Sequence, residues 1–192
     1  MARPRKFDED KVVEAAMQLF WGKGYKATTP RELLAATGLS KSSLYNTFGS
    51  KEGLFVRAIE CYIVQREADL AEHLEGDDLH ASLIAYFQTT ITEGTAGPGR
   101  SCLVCTTLLS TTEDDLLAYV SARQGHERLR AVLSERIRRG QLEGEVGRER
   151  TAEDLAQLVF SHTMGLNVLA RGGAGAEGLM RASRVVADAV LA

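Results

Sequence analysis

Apolar residues recur every three or four positions along almost the whole chain, and no stretch alternates with the period of two that a half-buried strand needs. That pattern restricts the fold to packed helices, an all-α chain with about nine of them. The three prolines fall between the periodic segments: Pro4 in an N-terminal arm, Pro30 after Thr29, and Pro98 in the glycine-rich break 93–99. The first helix is expected from about Asp8 to Gly22, with Val12, Ala16, Leu19 and Phe20 inward. Thr29-Pro30-Arg31-Glu32 reads as a capping box with proline in the first helical position, starting a short second helix that ends at Gly38. Ser40 caps a third, about 41–48, and Ser50 a long fourth carrying Phe55, Ile59, Tyr62 and Ile63 along one side. Five more are expected near 79–93, 101–111, 113–139, 152–171 and 175–191.

At 192 residues the chain is long enough to bury a proper core without staples. Three cysteines do not make a disulfide framework, and no apolar run has the length of a signal sequence or a membrane span. A soluble cytoplasmic protein with no membrane partner is expected.

The net charge of −3 hides a division. Residues 1–57 hold ten Lys and Arg against six Asp and Glu, whereas residues 58–192 hold thirteen against twenty. Only the N-terminal part is suited to a polyanion, and its excess is modest enough to be an ordinary solvated surface.

Two short helices joined by a turn containing Gly38 form a helix-turn-helix pattern, whose second helix is the one able to enter a major groove. Thr29, Lys41, Tyr45 and Lys51 can donate to phosphate oxygens, while Ser42, Ser43, Asn46 and Thr47 are short polar groups able to reach base edges. Leu39 and Leu44 would anchor the helix from behind. A helical hairpin with ordinary caps has the same local pattern.

Residues 7–55 resemble the DNA-binding head of the TetR family of repressors, through Phe7, Ala15-Ala16, Leu19-Phe20, Gly24-Tyr25, Thr28-Thr29, the stretch 38–45, Phe48 and the stretch 50–55. A weaker match in 155–159, Gly165-Leu166 and 168–171 resembles the eighth helix of one branch of that family. The resemblance implies a helix-turn-helix domain over 1–50 and a helical ligand-binding and dimerisation domain over 51–192. It implies a homodimer with recognition helices roughly 34–36 Å apart on a pseudo-palindromic double-stranded operator. Carried over by position, the DNA-binding set is Thr28, Thr29, Arg31, Lys41, Ser42, Ser43, Tyr45, Asn46, Thr47 and Lys51, with Arg3 and Arg5 trailing into a minor groove. Asn46-Thr47 stand where the family commonly has an aromatic and a histidine, and Leu34 where it commonly has alanine. The first points to an altered operator, the second to altered helix packing.

The last two helices carry apolar stripes, and in the family such helices form an intersubunit four-helix bundle. Leu158, His162, Gly165, Leu169, Ala182 and Val186 are the candidate interface. Between head and interface, helices over about 51–139 are expected to enclose a cavity lined by Tyr62, Tyr86, Phe87, Cys102, Cys105 and Leu109, for a small apolar or electrophilic inducer. The fourth helix is the long element expected to run from the head at Ser50 to that cavity at Tyr62.

Cys102 and Cys105, three apart on an expected helix, place both sulfurs on one face: buried core, a thiol switch and half a soft-metal site are the alternatives. Some members with a Gly-Cys-Leu-like start to this helix sense oxidants or electrophiles; here Ser101 replaces that glycine. The four histidines lie in no ligand spacing near the pair, so no metal is assigned, and no cofactor signature is present. Nor is there a phosphate loop, HExxH or nucleophile elbow, so an enzyme is not expected. Glu113-Asp114-Asp115 is read as acid complementing a helix dipole, mirrored by Arg136, Arg138 and Arg139 near the far end. A helical thiol-redox protein and a protein–protein adaptor remain competing classes, and neither uses the string from Thr29 to Lys51.

Overall fold

A computed structural model describes residues 7–95, 101–112 and 115–192, and among these the chain is all-helical. Nine helices are described: α1 (Glu9–Lys23), α2 (Pro30–Thr37), α3 (Lys41–Phe48), α4 (Lys51–His73), α5 (Leu79–Thr95), α6 (Leu103–Ser110), α7 (Leu116–Glu143), α8 (Ala152–Arg171) and α9 (Ala176–Leu191). Arg3 and Arg5 lie outside the described residues.

Local chemistry sets the first four boundaries. Asp8 accepts from the backbone of Asp10 and Lys11 at the start of α1. At α2, Thr29 Oγ1 accepts from Glu32 N while the Glu32 carboxylate accepts from Thr29 N, a closed capping box. Ser40 and Ser50 accept from Ser43 N and Gly53 N to start α3 and α4. Gly38, with φ +67°, lets α2 end in the left-handed turn that feeds α3. Gly53 is required for a different reason. A Cβ there would stand 2.0 Å from the Phe48 carbonyl oxygen, so only glycine lets α4 start this close to the end of α3.

One core cluster joins α1–α3 to the first half of α4 and continues into Leu103, Val104, Ala118 and Ala122 of α6 and α7. Within it Phe20 and Phe55 meet edge to face at 4.9 Å, with Tyr25 at 4.7 Å from Phe55. Truncating either fully buried phenylalanine to alanine would cost about 3–5 kcal/mol. The second cluster fills the space among the end of α4, α5, the later part of α7, α8 and α9. Arg128 of α7 clamps α4 by binding Glu60 at 2.6 Å and Glu67 at 2.8 Å.

Three boundary expectations are corrected. First, α6 begins at Leu103, because Cys102 N is held by Asn167 Oδ1 at 2.9 Å and so is drawn toward α8 before the helix starts. Second, Asp115 stands at the N-cap of α7 without capping it, accepting instead from Thr112 N and Thr112 Oγ1 at 3.1 Å and pairing with Lys26. The cap comes from Glu52 in the first turn of α4, which accepts from Leu117 N and Ala118 N. Glu113 and Asp114 lie outside the described residues. Third, α7 runs on to Glu143, so the arginines are not its last turn. Arg136 is instead buried, donating to the Leu74 and Gly76 carbonyls at 3.0 Å each and to Glu145 at 2.8 Å, and it fastens the end of α4 to α7.

Candidate functional site

The surface of α3 is built on one buried residue. Leu44 is packed inward with Leu39 and Phe48 beside it, which turns Lys41, Ser42 and Asn46 to solvent. Ser43, Tyr45 and Thr47 are half-buried on the flanks. The Ser40 hydroxyl holds those of Ser42 and Ser43 at 3.1 and 2.8 Å, so the first turn of the helix presents a fixed cluster of hydroxyls. Thr29 and Arg31 are exposed at the start of α2. Lys51 lays its ammonium 4.4 Å from the centre of the Tyr25 ring; burial, then the nearby charge of Lys26, holds its pKa below the ordinary lysine value. Thr28 does not belong to this surface. It is 1% exposed and its hydroxyl donates to the Gly24 carbonyl at 2.8 Å, closing the loop from α1 to α2.

A second feature lies in the helical body, a cavity of about 370 Å3, within the range of small-molecule sites. Tyr62, Tyr86 and Cys102 line it. Phe87, Cys105 and Leu109 do not: Phe87 is fully buried core, Cys105 is buried within α6, and Leu109 is 73% exposed on the outer surface. Helical spacing told which residues share a face, but not which face meets a void. Residues the sequence reading passed over complete the wall, above all Trp21 from the end of α1, Arg66 from α4 and Glu93 from α5. The available signal was Arg66 itself, one turn from Tyr62 on a helix expected to reach the cavity.

The cavity thiol is not activated. Cys102 stands before α6, so the expectation that it shares a helical face with Cys105 does not hold. Burial raises the pKa of Cys102, and burial followed by the neighbouring Cys102 pushes that of Cys105 up to about 11, so both remain thiols at neutral pH. Burial likewise holds the Tyr62 and Tyr86 hydroxyls protonated.

On α8 and α9 the sequence stripes split. Leu155, Val159, Leu166, Leu179 and Val190 point into the core, whereas Leu158, Leu169 and Ala182 face solvent, Leu169 at 53% exposure, and Val185, which the sequence reading passed over, joins them at 67%. Gly165 has open space above it. Two candidate interface residues are half-buried and also make contacts within the chain: His162 bonds Ser183 Oγ at 3.0 Å and lies edge-on to Phe87, and Val186 packs on the core.

The comparisons with known proteins decide the family. The family model of bacterial regulatory proteins, tetR family, matches residues 12–58. The HTH-type transcriptional repressor ComR of Escherichia coli (strain K12) is 30% identical over 184 residues, covering 93% of this chain and 87% of that protein. This chain belongs to the TetR family. Membership makes it a DNA-binding transcription regulator and not an enzyme. A cysteine mutant of the TetR family transcriptional regulator CifR, complexed with a 26bp double-strand operator DNA, has 27% identity and a TM-score of 0.85 over 98% of this chain and 100% of that chain. The reduced form of NemR from E. coli, at 20% identity and a TM-score of 0.79 over 95% of this chain and 96% of that chain, shares the fold. The matched residues contain α2 and α3, which form the helix-turn-helix of this TetR-family chain. Among the described residues no helix is long and apolar enough to cross a membrane.

Proposed function

We propose that this regulator is a repressor that grips a pseudo-palindromic operator as a homodimer and is released when a small molecule occupies the cavity among α1, α4, α5 and α8. The observation that carries this reading is that Trp21, a residue of the DNA-binding head, is also a wall of the cavity. An occupant therefore touches the head itself, and need not act only through a tilt of α4. CifR in complex with operator DNA supports the same partner for this chain. Ser42, Ser43, Asn46 and Thr47 face bases, while Thr29, Arg31, Lys41, Tyr45 and Lys51 meet phosphates. The exposed apolar face of α8 and α9, with Leu158, Leu169, Ala182 and Val185, makes the four-helix seam that fixes two heads in register. Non-covalent occupancy is favoured over thiol chemistry because Cys102, half-buried at the cavity wall, has its pKa raised by desolvation and is held as the thiol.

The test is a titration of duplexes from the chain's own promoter region, read by anisotropy at several salt concentrations. A site-specific complex with two protomers per duplex and a steep salt dependence is expected. One protomer per site, or equal affinity for all sequences, overturns the reading.

A further inference from the structure

The charged lining of the cavity is acidic. Among the described lining residues, Asp69, Glu72 and Glu93 oppose one arginine, Arg66, and the rest are aromatic, aliphatic, hydroxyl, amide, thiol or thioether, apart from His73. The His73 ring is engaged at both nitrogens, with the Asp69 carbonyl at 2.7 Å and Thr89 Oγ1 at 3.3 Å. Arg66 shows what such a lining accommodates. Its Nη1 meets both Glu93 oxygens at 3.1 and 3.2 Å, and its Nη2 meets Asp69 at 2.6 Å. Its Cζ stands 5.3 Å from the Trp21 ring centre and 5.6 Å from that of Tyr62, within cation–π range of both. A planar cation on a tether thus already occupies the ring faces and the carboxylates at the wall.

We infer that the ligand of this cavity is a planar organic cation of the amidinium or guanidinium type, which displaces the Arg66 guanidinium from Trp21, Tyr62, Asp69 and Glu93. The inference rests on the effector reading above and gives it a ligand class. An anion would gain one arginine whose charge two carboxylates already offset, and it would face the third, Glu72. A neutral molecule could not take the place of the guanidinium at Asp69 and Glu93, and so would leave the Trp21 and Tyr62 ring faces occupied by Arg66. A displacing cation keeps Asp69 and Glu93 paired and frees Arg66 from the indole of α1, so the exchange takes place at the head.

Three isosteric probes separate the charge classes: benzamidinium, benzamide and benzoate, titrated against the full-length protein with the emission of Trp21, its one tryptophan, as the readout. Benzamidinium is expected to bind at least tenfold tighter than benzamide, with benzoate weakest. Glu93→Gln should weaken benzamidinium about tenfold. Arg66→Ala, which removes the internal competitor, should tighten it by a similar factor; Arg66→Gln serves if the alanine variant does not fold. Benzoate binding best, benzamidinium weakening in both Arg66 variants, or no binding of any probe at millimolar concentration overturns the proposal. The operator titration keeps the two readings apart. Benzamidinium binding in the expected order without loosening the operator complex sustains the cation site and overturns the effector reading. Benzoate binding best and releasing the operator does the reverse.

Discussion

Trp21 Nε1 donates to the Ser101 carbonyl at 2.8 Å, joining the last turn of α1 to the segment that leads into α6. Residue 102, next along, has its own amide held by Asn167 of α8. A continuous line of hydrogen bonds therefore runs from the head, across the cavity wall, to the helix that carries the outward apolar face. A change at the cavity has a short path to both the α1–α3 head and the exposed apolar face of α8 and α9.

Trp21→Phe keeps an aromatic wall and removes the donor. The loss should cost about 1 kcal/mol of stability, the net worth of one partly buried hydrogen bond. It should also shrink the ratio of operator affinities measured with and without ligand. Thermal unfolding and anisotropy check the two effects separately.

Lys51→Ala should weaken binding to every duplex alike and reduce the slope of log affinity against log salt by about one, because a phosphate contact releases a counterion and carries no sequence information. Asn46→Ala, at an exposed position on α3, should alter operator preference at one base step and leave the salt slope unchanged. An altered preference in the lysine variant would contradict the assignment.

Gly53→Ala should destabilise the head by more than about 2 kcal/mol, since the new Cβ meets the Phe48 carbonyl oxygen and neither backbone can yield without moving α3 against α4. At about 2–4 °C per kcal/mol for a chain of this size, calorimetry should show a fall in Tm of at least about 4 °C. An unchanged Tm would mean that the turn is not fixed as described.

The capping box gives a pH signature. Hydrogen bonds from Lys23 and from Thr29 hold the Glu32 carboxyl down from its ordinary 4.5 to about 2. A depressed acid contributes stability that is complete above its unfolded value and is lost as pH falls through the folded one. Helicity of the wild type should therefore decline between about pH 4.5 and 2 more steeply than that of Glu32→Gln, by circular dichroism. Parallel acid curves would remove the box from the account.

Ala182→Asp and Leu169→Glu alter exposed positions and leave the core intact. Sedimentation should find folded monomers with lost operator affinity, because two half-sites need two heads at fixed spacing. Intact dimers in both variants would put the interface elsewhere.

The head was legible because its determinants are local. The box at Thr29 and Glu32, the caps at Ser40 and Ser50 and the left-handed Gly38 each act within a few residues. The body was less so because its determinants are distant partners. Asn167 fixes the start of α6, Glu52 caps α7, and Arg136 serves α4 from another helix. The cavity wall failed for the same reason: Phe87 and Tyr86 are neighbours in sequence, and only packing sends one into the core and the other to the void. Trp21 and Arg66 were missed because their meeting spans α1 and α4.

The most direct test of the account is reciprocal linkage between the cavity and the operator. Benzamidinium should be titrated into free protein and into the operator complex, with Trp21 emission reporting occupancy and anisotropy reporting release. The account predicts that the factor by which the cation weakens operator binding equals the factor by which the operator weakens cation binding. For a tenfold to hundredfold effect that coupling is about 1.4–2.8 kcal/mol. A cavity that fills equally well in free and DNA-bound protein, with the operator still held, would contradict it.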